Sequence, residues 1–399
     1  MKLTLPTADG SGLAAYQIQG PGDFTPAKAG QKLSRIAYSA AHVVADSRAA
    51  VDPWVDCAID WDATLAYRRR LWGMGLGVAE AMDTAQRGMG LDWPTSLELI
   101  SRSIDASKDV PGAFLASGCG TDHLAVDAAR SVDNVIRAYE EQMAAIEALG
   151  GKLIVMASRA LARVAQGPDD YLRVYDRVLS QAREPVVLHW LGDMFDPALK
   201  GYWGSTDTAA AMQTAVDVIN AHPAKVDGIK ISLLDKDQEI RMRRMLPPGV
   251  RMYTGDDFNY AELIAGDGVG EIETHRHSDA LLGIFDAIAP AASAALAALT
   301  AGDEARFHQI LAPTVPLSRH IFKAPTRFYK TGVVFMAWLN GHQDHFVMVG
   351  GQQSTRSLPH LAELFRLADE AGLLEQPDLA VSRMAHLLAL HGVDAQVTR

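Results

Sequence analysis

Short apolar runs alternate along the chain with longer segments in which apolar residues recur at helical spacing. Glycine, proline or aspartate bounds most of the short runs, which is typical of strands buried within a sheet. Helical spacing is clearest over residues 131–149, 169–182 and 207–220. The pattern predicts eight strands, at residues 35–41, 77–83, 113–118, 152–158, 185–190, 226–232, 250–256 and 269–275.

The apolar runs are continuous and do not alternate between apolar and polar residues, so both faces of each predicted strand are buried. Eight such strands, with helices between them, favour an α/β fold of the (β/α)8 or TIM-barrel type, in which a closed parallel sheet is covered by helices. A doubly wound open sheet is the alternative architecture. We therefore expect the barrel to occupy residues 31–280.

Segments with a different pattern flank the predicted barrel. Residues 1–30 contain two extended stretches joined by Asp9 and Gly10, which predicts a hairpin and a short N-terminal β extension. Residues 281–399 are rich in alanine and leucine at helical spacing, which predicts a C-terminal helical extension packed on the barrel.

Composition and charge narrow the class of protein. Hydrophobic residues make up 48% of the 399 residues and charged residues 21%, as in a soluble globular protein. The formal net charge of -11 argues against nucleic acid as a partner. Cys57 and Cys119 have no metal-type spacing, and the sequence has neither a signal-peptide pattern nor a membrane-span pattern, so we expect a cytoplasmic protein with no membrane partner.

Lys230 ends the apolar part of the sixth predicted strand, in the segment KVDGIKISLLD. Residues at the carboxyl ends of barrel strands face the active site, and burying an ammonium group is costly. A desolvated lysine has a lowered pKa, and its neutral amine can attack a carbonyl to form a Schiff base. The alternative is a lysine that packs its stem on apolar surface and extends its amine into water.

The segments VDGIKISLLD and PPGVRMYTGDDFNYAELIAGDGVGEI resemble the corresponding region of the dihydrodipicolinate synthase and N-acetylneuraminate lyase superfamily. The likeness covers about residues 180–275, and the whole chain resembles a long, divergent branch of that superfamily whose function is unknown. The resemblance implies that Lys230 is the Schiff-base lysine, that no cofactor is needed and that the protein is a homo-oligomer.

The chain departs from the superfamily pattern at three places. His189 stands where the family has a proton-relaying tyrosine, and imidazole can also transfer protons. Residues 192–194 lack the arginine that binds a pyruvate carboxylate in the synthases. One of two family threonines is retained as Thr84, while Ala85 replaces the other. These changes argue against a pyruvate-dependent synthase and favour an uncharged, polyhydroxylated carbonyl compound.

The resulting hypothesis is a class I lyase, aldolase or dehydratase that acts on a sugar-derived keto compound. Lys230 and His189 are the predicted catalytic residues, and the predicted substrate-binding residues are Asp83, Thr84, Asp256, Glu273 and His275. Because Glu271, Glu273 and His275 alternate along the eighth predicted strand, a divalent metal is also conceivable there. The alternatives are therefore a metal-dependent sugar lyase or isomerase on the same barrel, and a sugar-binding barrel without catalysis.

Overall fold

A computed structural model describes residues 1–83, 87–394 and 397–398. Within these ranges, eight parallel strands close into a barrel, because the last strand pairs with the first. The predicted TIM-barrel fold is therefore confirmed. The barrel strands are β3 (Ala37–Ala40), β4 (Gly77–Glu80), β5 (Leu115–Cys119), β6 (Leu153–Met156), β7 (Val186–Leu191), β8 (Val226–Ser232), β9 (Arg251–Thr254) and β10 (Asp279–Leu282).

Helices cover the outside of the barrel between successive strands. The three helices predicted most clearly, at 131–149, 169–182 and 207–220, are confirmed as Val132–Ala148, Pro168–Gln181 and Thr208–Ala221. The helices of this layer are α1 (Trp61–Gly73), α2 (Trp93–Ser107), α3 (Val132–Ala148), α4 (Arg159–Val164), α5 (Pro168–Gln181), α6 (Thr208–Ala221), α7 (Lys236–Arg243) and α8 (Tyr260–Ala265), with 3-10 turns at Pro197–Leu199, Tyr202–Gly204, Pro223–Lys225 and Glu273–His275.

The eighth strand is not where the sequence pattern placed it. The predicted strand at 269–275 is wrong: the strand is β10, and the preceding residues form a loop that ends in the 3-10 turn. Gly268 and Gly270 have positive φ angles of 66° and 148°, which a strand does not accommodate, and Val269 is 57% exposed. The shorter run of β10 is buried at all four positions and closes the barrel instead.

A small antiparallel sheet lies outside the barrel. Strands β1 (Lys2–Pro6) and β2 (Leu13–Gln17) form the predicted hairpin, and β11 (Val397–Thr398) pairs with the other edge of β1. Leu3 and Leu5 of β1 are fully buried. The hairpin is therefore held to the rest of the molecule by its apolar side chains.

The C-terminal extension is helical, as predicted, and follows β10 directly. Helix α13 (Tyr329–Leu339) is its central element, since each of its eleven residues is buried, which is typical of a helix enclosed on every side. The extension contains α9 (Ile284–Ala287), α10 (Ala289–Thr300), α11 (Glu304–Leu311), α12 (Thr314–Ile321), α13 (Tyr329–Leu339), α14 (Leu358–Glu370) and α15 (Pro377–Leu390), with 3-10 turns at Thr326–Phe328 and Val349–Thr355.

Two apolar clusters form the core. The larger one lies between the strands and the helices, including those of the extension. The smaller one fills the barrel and includes Tyr38, Ala40, Ile154, Met156 and Val187. No helix in the described ranges is both long and apolar enough to cross a membrane.

Candidate active site

Lys230 lies inside the barrel on β8, where its neighbours across the sheet are His189 on β7 and Tyr253 on β9. Only 7% of its surface is exposed. Gly255, just after β9, makes room for its side chain, because a Cβ at that position would lie 2.7 Å from Lys230 Cε. A bare backbone beside the lysine thus lets the amine reach the carboxyl end of the barrel.

Burial and neighbouring charges make Lys230 less basic than a free lysine. Burial lowers the pKa of Lys230 to about 8, and the charge of Lys330 acts in the same direction, whereas Asp257 and Asp83 oppose the shift. At pH 7, about a tenth of the side chains would be neutral, compared with roughly one in three thousand for a free lysine. Lys230 can therefore act as a nucleophile near neutral pH.

Asp257 is the carboxyl group that acts most strongly on Lys230. Its Oδ1 accepts a hydrogen bond of 2.9 Å from the backbone N–H of Ile284, which fixes the side chain at the carboxyl end of β9. Burial raises the pKa of Asp257 to about 7, while the Lys230 charge opposes this rise. In the sequence, Asp257 stands within the segment PPGVRMYTGDDFNYAELIAGDGVGEI, and no role was predicted for it.

A second buried lysine, Lys330, reaches the same region from α13. Its Nζ donates to the carbonyl oxygen of Ala40, at the end of β3, and to Asp286 Oδ2 at 3.2 Å. Asp286 in turn accepts hydrogen bonds from the backbone N–H of His42 at 2.7 Å and from the His42 ring at 3.0 Å. None of these three residues was predicted from the sequence, where the available signal was a single lysine within the apolar segment YKTGVVFMAWL.

His189 lies beside Lys230 and is 2% exposed. Its Nε2 is 3.4 Å from Ser232 Oγ, and its Nδ1 has no hydrogen-bond partner among the described residues. Burial, reinforced by the Lys230 charge, lowers the pKa of His189 well below its usual value, so the ring is neutral at neutral pH. A neutral imidazole next to the amine can accept or donate one hydrogen bond to a bound molecule.

A polar cavity of about 370 Å³ opens at the carboxyl ends of β4 to β7. Met156 lines it and lies opposite His189 in the sheet, so the cavity adjoins the strand that bears His189 and, next to it, Lys230. Its charged lining residues are Asp83, Asp122, Asp196, Arg159 and Arg327.

Asp83 is the predicted substrate-binding residue that lies in this cavity. The Arg159 guanidinium is 3.1 Å from one of its oxygens and also binds Asp196. Burial raises the pKa of Asp83, while Arg159 acts against that rise. Thr84, the other residue predicted on this loop, lies outside the described residues.

The other predicted substrate-binding residues lie elsewhere. Both carboxylate oxygens of Asp256 are engaged locally, with Oδ1 accepting from the N–H groups of Phe258 and Asn259 and Oδ2 accepting from the Asn259 side chain. Asp256 therefore holds the turn before α8.

Glu273 and His275 lie at the amino end of the barrel, opposite the Lys230 amine. Glu273 lines a separate cavity with Arg251, the first residue of β9, and His275 Nε2 is 2.8 Å from the Leu246 carbonyl oxygen. Their predicted place in the site depended on the incorrect eighth strand, and the structure does not bring them to Lys230.

Among the described residues, no group of three His, Cys, Asp or Glu side chains comes together to hold a metal ion. Glu80, which ends β4, points away from the barrel interior and forms two hydrogen bonds with Arg68, at 2.9 and 2.8 Å.

Comparisons with known proteins agree with the observed fold. The sequence profile of DUF993, described as a protein of unknown function, matches residues 3–393. A search of curated proteins finds no match.

Similar solved structures cover most of the chain. A putative dihydrodipicolinate synthetase from Pseudomonas aeruginosa is 15% identical, with 86% of this chain and 100% of that chain covered at a TM-score of 0.59. A DHDPS from Cyanidioschyzon merolae, solved with lysine bound, is 15% identical, with 86% of this chain and 100% of that chain covered at a TM-score of 0.63. A prophage protein of the dihydrodipicolinic acid synthase family from E. coli K12, solved in complex with pyruvate, is 14% identical, with 91% of this chain and 100% of that chain covered at a TM-score of 0.60.

Proposed function

This chain belongs to the family DUF993 and shares the fold of the dihydrodipicolinate synthases, and from that premise we propose that it is a class I lyase, aldolase or dehydratase that acts on a sugar-derived keto compound. The observation that carries the proposal is the buried, weakly basic Lys230 at the carboxyl end of the barrel, with Gly255 giving space to its side chain. A lysine in this state has the nucleophilicity that imine formation requires.

The reaction begins with the neutral amine of Lys230. Its nitrogen forms a bond to the carbonyl carbon of the substrate, and the carbonyl oxygen takes up protons and leaves as water, which gives a protonated imine. That imine accepts an electron pair from the neighbouring carbon. In an aldol cleavage the pair comes from the C–C bond that breaks. In a dehydration it comes from the C–H bond that loses its proton, and a hydroxyl group then leaves. Asp257, whose charge acts on Lys230, and the neutral His189, its neighbour across the sheet, can receive or return the proton.

The substrate class is inferred from the polar cavity. Its lining combines three carboxylates with two guanidinium groups, and Arg159 is already bound by Asp83 and Asp196. Carboxylates accept hydrogen bonds from hydroxyl groups, whereas they repel a carboxylate ligand. After β7 the chain has Gly192, Asp193 and Met194 and no arginine. Both observations favour a polyhydroxylated, uncharged carbonyl compound over a 2-oxo acid.

Borohydride trapping tests this proposal. The protein would be incubated with keto sugars, keto acids and simple aldehydes, reduced, and examined by intact-mass spectrometry. We expect an adduct with a keto sugar in the wild type and in Lys225→Ala, and none in Lys230→Ala. Lys225 is a suitable control because it bonds the Ala182 carbonyl at the start of the same strand. A trapped adduct of equal yield in Lys230→Ala, or no adduct with any compound of the panel, would contradict the proposal.

A further inference from the structure

Lys330 is an unusual residue for its place in the fold. It is 3% exposed and is the only charged residue of α13, the helix that is buried over its whole length. A lysine in such a position requires partners, because an unpaired buried ammonium is strongly destabilising. The residue is supplied by the C-terminal extension and not by the barrel itself.

The partners of Lys330 fix both its position and its charge. Asp286 and the Ala40 carbonyl oxygen accept two of its three N–H bonds. Asp286 is held in turn by the backbone and ring of His42, and the Tyr67 hydroxyl donates to its carbonyl oxygen at 2.6 Å. His42 and Lys330 keep the pKa of Asp286 well below its usual value, against the effect of burial, so Asp286 is an anion. Burial lowers the pKa of Lys330, and the Asp286 carboxylate opposes that shift and favours the charged ammonium.

Lys230 is in a different state from Lys330, although both are buried. Among the described residues, the lysines that form ion pairs are Lys108, Lys236 and Lys330, and Lys230 is not one of them. Asp257 experiences the charge of both buried lysines. Lys330 is therefore paired with its own carboxylate, Asp286, whereas Lys230 forms no ion pair among the described residues and experiences the charges of Asp257 and Asp83 without direct pairing.

We propose that Lys330 is a positioning residue whose positive charge disfavours protonation of Lys230 and so enlarges its neutral, nucleophilic fraction, with the result that the C-terminal extension completes the site in the barrel. This role rests on the proposed function, since it matters for catalysis only if Lys230 is the nucleophile. The physical basis is repulsion between like charges in a poorly solvated interior, which disfavours a second ammonium beside the first.

Several other charged or titratable groups also act on the two lysines, and the test must separate them from Lys330. The groups that face Lys230 are His189 from β7, Asp83 from the end of β4, Asp257 from the end of β9 and Lys330 from α13. Those that face Lys330 are Asp286 from α9, Arg68 from α1 and Asp257, with His42 acting through Asp286.

Competitive labelling with trace acetic anhydride measures this effect without a substrate. Only neutral amines react, so the rate of acetylation of Lys230 against pH, read from its peptide by mass spectrometry, gives the midpoint of its titration. We expect Lys330→Gln, which retains a donor for the Ala40 carbonyl, to raise that midpoint by about one pH unit and to slow labelling at pH 7 severalfold. Lys330→Arg retains the charge and should restore the wild-type midpoint, and Lys225→Gln should leave it unchanged.

The outcomes separate the two proposals. An unchanged Lys230 midpoint in folded Lys330→Gln, or in Lys330→Met if the glutamine variant does not fold, overturns the role of Lys330 even if imines are trapped. A raised midpoint in a protein that traps no imine upholds this role and counts against the proposed function. No acetylation of Lys230 at any pH would contradict both.

Discussion

The Gly255 backbone lies so close to the Lys230 side chain that only glycine fits at position 255. A Cβ on Gly255 would lie 2.7 Å from Lys230 Cε and 2.5 Å from the Ile231 carbonyl oxygen, and the Gly255 N–H donates to that same oxygen at 2.9 Å. The backbone is therefore held in place at the point where the lysine side chain passes it. The position of the amine depends on a residue that has no side chain.

Gly255→Ala should displace Lys230. Overpacking of this kind costs about 1–3 kcal/mol, and the amine must move because the backbone is hydrogen-bonded. We expect urea unfolding to show a loss of stability of that size and borohydride trapping to fall at least tenfold. Gly73→Ala is the control, since a Cβ there meets nothing within 4 Å. Normal trapping in Gly255→Ala would mean that the lysine does not need this space.

Imine formation should depend on pH through Lys230. Because its pKa is about 8, the neutral fraction of the amine increases as the pH rises through 8, and deprotonation is largely complete above about pH 9. Initial rates of adduct formation, measured between pH 6 and 10, should therefore rise and then level off. A rate that is already constant at pH 6 would indicate a nucleophile with a lower pKa than Lys230, and a rise that begins only near pH 10 would indicate an unperturbed lysine.

Asp257→Asn should shift this pH profile in the opposite direction to Lys330→Gln. The Asp257 carboxylate favours the charged form of Lys230, so its removal should lower the titration midpoint by about one unit or less. The asparagine carbonyl can still accept the hydrogen bond from Ile284. Asp227→Asn is the control, because Asp227 binds Arg251 at the start of the same strand pair. An unchanged midpoint in Asp257→Asn would show that the carboxyl group is neutral while the amine titrates, and an upward shift would contradict the prediction.

Arg159→Met should weaken both the fold and substrate binding. Its partner Asp83 would keep a buried carboxylate without that cation, and because the Arg159 side chain is 26% exposed we expect a loss of roughly 1–3 kcal/mol on urea unfolding. Arg173→Met removes an ion pair whose side chains are 58% and 54% exposed and should cost less than about 1 kcal/mol. The concentration of keto sugar needed for half-maximal trapping should rise in Arg159→Met and not in Arg173→Met. Equal concentrations in the two variants would mean that the cavity does not bind the substrate.

Sequence pattern predicted the features of this site that are local. Lys230 and His189 interrupt apolar strands, and such an interruption is visible within seven residues of sequence. The eighth strand was misplaced because alternating residues at 269–275 imitate a strand, while the backbone at Gly268 and Gly270 prevents one. Burial of the short run in β10 is decided by its two neighbours in the barrel, which no local pattern contains.

The contributions of Lys330 and Asp286 could not be predicted in the same way. A lysine within an apolar helix shows that a partner is needed, but the partner is chosen by how the extension packs on the barrel. Lys330 meets Ala40 across 290 positions of sequence, and His42 meets Asp286 across 244. Contacts of this range depend on the tertiary structure as a whole.

The contact between His42 and Asp286 also bears on the order in which the chain can fold as it is synthesised. The first barrel strand ends at Ala40, but the carboxylate that holds the residues after it lies beyond β10, and the lysine that binds both comes later still. A nascent chain that has left the ribosome only as far as β9 has neither the closing strand nor this carboxylate. The contacts among His42, Asp286 and Lys330 therefore form among the last in the molecule. Contacts between residues so distant in sequence are typical of slow folding steps.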